Sequence, residues 1–194
     1  FHRYYTPRIL GKPFRRSIEL LAGIPSVVFG FWGLVVLVPL IAKMQPPGPS
    51  LLAVILILSL MILPTIALIA DSSLESVPND QLLGAAALGL SRWTTITQVS
   101  FRNARGGLIT AVVLAAGRAV GETMAVMMVC GNVFKVPDSI FAPIRTLTAN
   151  IALEMSYALD THRSALFVSG LLLTGVIVTL VAIAEFFGKE RAIV

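Results

Sequence analysis

Three stretches of this chain, 20–42, 50–70 and 164–184, contain no charged residue. A bilayer's hydrocarbon core is about 30 Å thick, and roughly 20 apolar residues of α-helix cross it. Backbone in lipid has to satisfy its own hydrogen bonds, which a helix does within one segment. A fourth stretch, 106–131, is equally long and apolar, except for Arg118 and Glu122. The sequence therefore predicts an all-α polytopic membrane protein. We expect one transmembrane domain over 1–194, with four spans at about 20–42, 50–70, 106–131 and 164–184. Composition points the same way, since 56% of residues are hydrophobic and 13% are charged, which excludes an ordinary soluble domain.

The segments between these runs set the expected topology. Residues 1–19 hold Arg3, Arg8, Lys12, Arg15 and Arg16 and read as a basic juxtamembrane flank, with Pro7 and Pro13 breaking regular structure. No secretory signal is expected there, because the basic stretch lacks an apolar core and a small-residue cleavage site. Pro46, Pro47, Gly48 and Pro49 make a turn between spans one and two, and Pro64 predicts a kink inside span two. Residues 71–105 are polar. Leu82, Leu83, Ala86 and Leu90 recur at helical spacing, Gly89 interrupts them, and 93–101 reads as a second short helix. By pattern alone this pair either lies on the membrane surface or docks a soluble partner. In 132–163, Leu147, Ile151 and Met155 mark one face of a short helix. The basic residues favour the side that carries 1–19, 71–105 and the chain end. Both termini and the 71–105 loop are therefore expected in the cytoplasm, and 132–163 on the opposite, periplasmic side.

Several chemistries are excluded or unsupported. Cys130 is the single cysteine, so no internal disulfide and no multi-cysteine metal site is expected. There is no G-x-x-x-x-G-K-[ST] phosphate loop, no H-E-x-x-H and no C-x-x-C. His2 and His162 lie outside the spans, so no intramembrane Ser-His site can be assembled. We expect no catalytic residue, no metal and no cofactor, and hence no enzyme. The net charge of +5 comes mostly from basic residues beside apolar runs, which signals topology, not nucleic-acid binding.

Arg118 and Glu122 are the exception to be explained. A charge at membrane depth costs roughly 2.5–3.5 kcal/mol on insertion scales, and such groups face a bundle interior or a polar pathway. Spaced i, i+4, the two side chains would share one face of a continuous helix. Gly117 and Gly121 form a G-x-x-x-G pattern that lets another helix come close. Two readings stand: an ion pair that holds the bundle together, or an element of an anion pathway in which the carboxylate tempers the field of the arginine.

The 71–105 segment resembles the cytoplasmic EAA loop of ABC-importer permeases. Aligned on that motif, Glu-Ala-Ala falls on Leu83, Gly84 and Ala85, the glycine on Gly89 and Arg-Trp on Arg92 and Trp93, while Leu-Pro falls on Phe101 and Arg102. The glycine and second alanine coincide; the glutamate and proline do not. Residues 18–34, and Gly117-Arg-Ala-Val-Gly-Glu-Thr-Met-Ala-Val126 followed by Gly131-Asn132, resemble phosphate-specific permeases of the PstC type more than their PstA-type sisters. The resemblance implies a MetI-like fold in which the pair of short helices couples to an ATPase through Leu83, Gly84, Ala85, Gly89, Arg92 and Trp93. It implies that Arg118, Glu122 and Thr123 lie on a phosphate path. It implies a bacterial inner-membrane location and three partners: a PstA-type permease, PstB-type subunits that bind the ATP, and a periplasmic phosphate-binding protein of the PstS type. Members have six spans, so two further spans are expected before Phe1. The alternatives are a permease for molybdate, sulfate or phosphonate, or a regulatory membrane subunit without transport, which the absent EAA glutamate favours.

Overall fold

The computed structural model describes residues 8–189, with side-chain surroundings for 13–183. The flank residues Arg3 and Pro7, His2 and the end of the chain with Arg191 lie outside the described residues. The fold is built from helices: α1 (Arg8–Gly23), α2 (Ser26–Met44), α3 (Leu51–Glu75), α4 (Asn79–Ala87), α5 (Arg92–Gly121), α6 (Met124–Val129), α7 (Leu147–Glu154) and α8 (Asp160–Lys189). Four helical stretches are long and apolar enough to cross a membrane: α2, α3, α5 and residues Asp160–Ile183 of α8.

The boundaries differ from the sequence expectation in two informative places. Residues 8–23 are not an irregular flank but a helix that contains Pro13. A proline removes one donor and crowds the carbonyl four residues back, so α1 runs on through Pro13 with one backbone hydrogen bond fewer. The first span then starts at Ser26, after Pro25, and not at residue 20. The span also contains a π-helical turn, Gly33–Leu37, directly before Val38 and Pro39. Proline cannot donate to the carbonyl four residues back, and a widened turn is one way to absorb the mismatch.

The second place is the third span. The short helix expected at 93–101 and the span expected from 106 form one helix, Arg92–Gly121. The Gly106-Gly107 pair does not end it. A Cβ at Gly107 would collide with Ser73 Oγ, so this glycine admits α3 at close range. The helix stops instead at Gly121, short of the residue 131 expected.

The chain divides into two compact units. Among the described residues, one comprises 8–22, Leu63–Ala115 and 181–189. Within it Arg15 ties α1 to the end of α3, with its guanidinium 3.2 Å from Asp71 and 3.3 Å from Glu75, besides Glu19 at 3.1 Å. An open, largely apolar groove lies between Phe14, Ile18, Leu68 and Leu74.

The other unit comprises Gly23–Ile62 and Ala116–Leu180. Its core joins Phe29, Val38 and Ile41 of α2, Val54, Ile57 and Met61 of α3, and Ala125, Val126 and Val129 of α6. Gly30 brings α2 and α6 together backbone to backbone, since a Cβ there would stand 2.7 Å from the Ala125 Cα. The loop after α6 caps the start of α3. Amides of Ser50, Leu51 and Leu52 donate to carbonyls of Val129, Ala142 and Ile140, which satisfies donors that a helix N-terminus leaves free.

Candidate functional site

Arg118 sits in the last turn of α5, with an exposed side chain. The helix on which Glu122 was expected to share its face ends one residue before Glu122. Three local bonds hold the break. The Glu122 amide donates to the Ala119 carbonyl at 3.3 Å, the Glu122 Oε1 accepts the Ala125 amide at 3.1 Å, and the Thr123 hydroxyl donates to the Gly121 carbonyl at 3.2 Å. Glu122 therefore acts as a side-chain cap at the start of α6, satisfying one of the donors that the interruption frees. Glu122 lies just past the end of α5, and its carboxylate reaches forward to the start of α6. Broken helices at membrane depth persist only where protein or a polar cavity surrounds the freed backbone. Glu122 and Thr123 are half-buried. A Cβ at Gly117 or Gly121 would meet nothing within 4 Å, so this chain leaves open the close approach that the G-x-x-x-G pattern permits.

Two groups from elsewhere complete the surroundings, and the sequence pattern singled out neither. Thr148 Oγ donates to the Glu122 carbonyl at 3.0 Å. Its neighbour Thr146 caps α7, accepting the Ala149 amide at 3.3 Å. The far end of α7 is held by Glu154, whose carboxylate accepts from Arg145 Nη2 at 2.6 Å and lies 3.5 Å from His162 Nε2. The Arg145 hydrogen bond holds the Glu154 carboxyl below the usual carboxylate range. Arg145 also stacks over Phe134, 4.9 Å from the ring centre. On α7 the face marked by Leu147, Ile151 and Met155 runs from exposed Leu147 to half-buried Ile151 and Met155, while Thr148 and Ala149 are buried. A threonine at a core position breaks the apolar periodicity, and that irregularity was the available signal.

The second candidate region is the turn between α4 and α5. Gly89 adopts φ +70°, its amide donates to the Ala86 carbonyl at 3.0 Å, and the Leu90 amide donates to the Ala85 carbonyl at 3.1 Å. This paired closure is the Schellman motif, which places glycine in the left-handed conformation just past a helix. Ser91 then starts α5 by accepting the Thr94 amide at 3.2 Å. The result displays Leu83, Leu88 and Trp93, exposed by 67%, 80% and 62%, around the turn. Gly84 and Arg92 are exposed beside them, and Ala85 alone of the predicted set is buried. Leu83, Leu88 and Trp93 are thus exposed apolar side chains within a polar segment. Among the described residues no cluster of three or more metal-ligating side chains occurs.

Comparison with known proteins places these features. Residues 3–189 match the family described as binding-protein-dependent transport system inner membrane component. The chain is 42% identical over 186 residues to the probable ABC transporter permease protein YqgH of Bacillus subtilis, covering 94% of this chain and 60% of that one. It is 38% identical to the phosphate transport system permease protein PstC of Mesorhizobium japonicum, covering 93% of this chain and 62% of the relative. The Haemophilus influenzae PstC is 37% identical, with 91% and 62% covered. The chain thus spans about three-fifths of the length of these relatives. Among solved structures, the MetNI methionine ABC transporter in inward facing conformations has a TM-score of 0.73 at 17% identity, covering 96% of this chain and 78% of that chain. That likeness extends to the fold: helices, four apolar spans and a MetI-type permease architecture. Four of its described helices are long and apolar enough to cross a membrane, and the chain belongs to the family of binding-protein-dependent transport system inner membrane components.

Proposed function

We propose that the chain is part of an importer that moves inorganic phosphate inward across the bacterial inner membrane, driven by ATP hydrolysis on a partner chain. The observation that carries this reading is identity of 37–38% to PstC permeases over more than nine-tenths of the chain. The helix break supports it: Arg118 supplies a permanent positive charge, Glu122 a counter-charge that limits how tightly an anion is held, and Thr123 a hydroxyl. ATP would be bound by PstB-type subunits, a PstS-type protein would deliver phosphate on the periplasmic side, and a PstA-type permease would complete the path.

In this reading both ends of the chain and the α4–α5 turn face the cytoplasm, as the distribution of basic residues favours. Leu83, Leu88 and Trp93 would enter the ATPase subunit, apolar where the EAA glutamate would stand. Arg92 and Arg118 lie on one continuous helix, so no loop separates the turn from the break along the chain. The bare surface at Gly117 and Gly121 would receive the second permease.

The test is uptake of labelled phosphate by the complete transporter. Arg118→Gln is expected to abolish uptake while the protein still inserts. Uptake at the parent rate would remove Arg118 from the path. Competition by molybdate, sulfate or phosphonate at least as strong as by phosphate itself would reassign the anion.

A further inference from the structure

We infer that Thr148 is a positioning residue for the helix break, holding the Glu122 peptide in place through its hydroxyl. This rests on the reading of Glu122 as a path residue.

A break in a helix frees carbonyls as well as amides, and a freed carbonyl in a buried setting needs a donor. The Glu122 carbonyl accepts from Thr148 Oγ at 3.0 Å, across twenty-six residues of sequence. Thr148 is buried, and its hydroxyl also lies 3.1 Å from that of Thr146, the residue that caps α7. The capped start of α7 is therefore fastened to the peptide that leads into α6. A carbonyl held in direction fixes the plane of the peptide between Glu122 and Thr123, and with it the directions in which both side chains leave the backbone. The Glu122 carboxylate caps Ala125 from within the break, and the Thr148 hydroxyl holds the same residue's carbonyl from outside it. The opposite end of α7 is pinned by Glu154 to Arg145 and His162, so the donor is presented by a short helix fixed at both ends.

Substitutions at Thr148 separate the hydroxyl from the shape. Thr148→Val keeps the volume and loses the donor; Thr148→Ser keeps the donor and loses a methyl. The assay is phosphate uptake by the full transporter, normalised to inserted protein, with hydrogen exchange of the amides at 124–127 read alongside. We expect Thr148→Val to lower the maximal uptake rate about 5- to 10-fold with the half-saturating phosphate concentration unchanged, and Thr148→Ser to stay within about twofold of the parent. Exchange at 124–127 should accelerate in the valine variant and not in the serine variant. Combined with Glu122→Gln, Thr148→Val should add no further loss, as expected of residues that act as a unit. Parent-like uptake in Thr148→Val, equal damage from serine and valine, or full additivity would overturn the proposal. If Thr148→Val does not accumulate, Thr148→Cys, a weak donor of similar size, takes its place. If Glu122→Gln itself transports at the parent rate, the path reading fails instead, and the exchange data alone judge whether Thr148 holds the break.

Discussion

The Glu122 carboxylate accepts the Ala125 amide at 3.1 Å, so the acid that interrupts an otherwise apolar run is also the cap of the helix that follows it. The two roles need different things from the side chain. Capping needs an oxygen; tempering an anion path needs a negative charge. Glu122→Gln keeps an amide oxygen and is expected to lose only a few tenths of a kcal/mol in stability, whereas Glu122→Ala loses about 1 kcal/mol. Both should lose most phosphate uptake. Thermal unfolding in detergent read beside uptake checks this, and transport that tracks stability across the two variants would assign Glu122 to capping alone.

Gly30 is where α2 and α6 touch backbone to backbone, and a methyl carbon added to it would stand 2.7 Å from the Ala125 Cα. Backbone cannot rotate away as a side chain can, so Gly30→Ala should cost about 1–3 kcal/mol by overpacking. Gly175→Ala in α8, where a Cβ meets nothing within 4 Å, serves as the comparison and should be neutral or stabilising by up to about 1 kcal/mol. The melting temperatures of the two variants test the contrast.

Gly89 tests the coupling turn. Its φ of +70° belongs to the left-handed region, where a Cβ costs roughly 1–2 kcal/mol. Gly89→Ala should disturb the display of Leu88 and Trp93 more than the packing of the spans. The expected outcome is a several-fold fall in phosphate moved per ATP hydrolysed, with insertion unchanged. An unaltered ratio would detach this turn from coupling.

The Arg145–Glu154 pair gives a pH dependence with a definite sign. The folded-state pKa of Glu154 lies below its ordinary value of about 4.3, chiefly through the Arg145 hydrogen bond. The pair therefore stabilises α7 above about pH 4.3, and that contribution is lost as pH falls through the lower folded value. Protection of the amides in 147–154, measured as exchange relative to the intrinsic rate at each pH, should fall on acidification in the parent. Glu154→Gln should show the lower protection already at neutral pH and less change below it.

Particular residues show which features were legible in advance. The spans could be read because uncharged runs such as 50–70 have few alternatives to membrane-crossing helices. Gly89 could be read as a helix stop because a left-handed cap is a local requirement, settled within a few residues. Helix α1 was hidden by Pro13, a breaker in most contexts, here placed early in a helix that Arg15 fastens to Asp71 and Glu75. The end of α5 was hidden for the opposite reason. Nothing in Gly121-Glu122-Thr123 forbids a helix, and the apolar pattern runs on through Val129.

The sequence by itself determined that the chain is built from membrane-spanning helices, that two charges interrupt an otherwise apolar run, and that a glycine-closed apolar turn lies in its polar loop. These follow from composition, length and local backbone preference. The tertiary structure alone decided that the charged span is interrupted at Glu122 and Thr123. Hydrogen bonds freed at the break had to be replaced, and one replacement, the Thr148 hydroxyl, arrives from a helix distant in sequence. No periodicity within the span can encode a donor supplied from outside it.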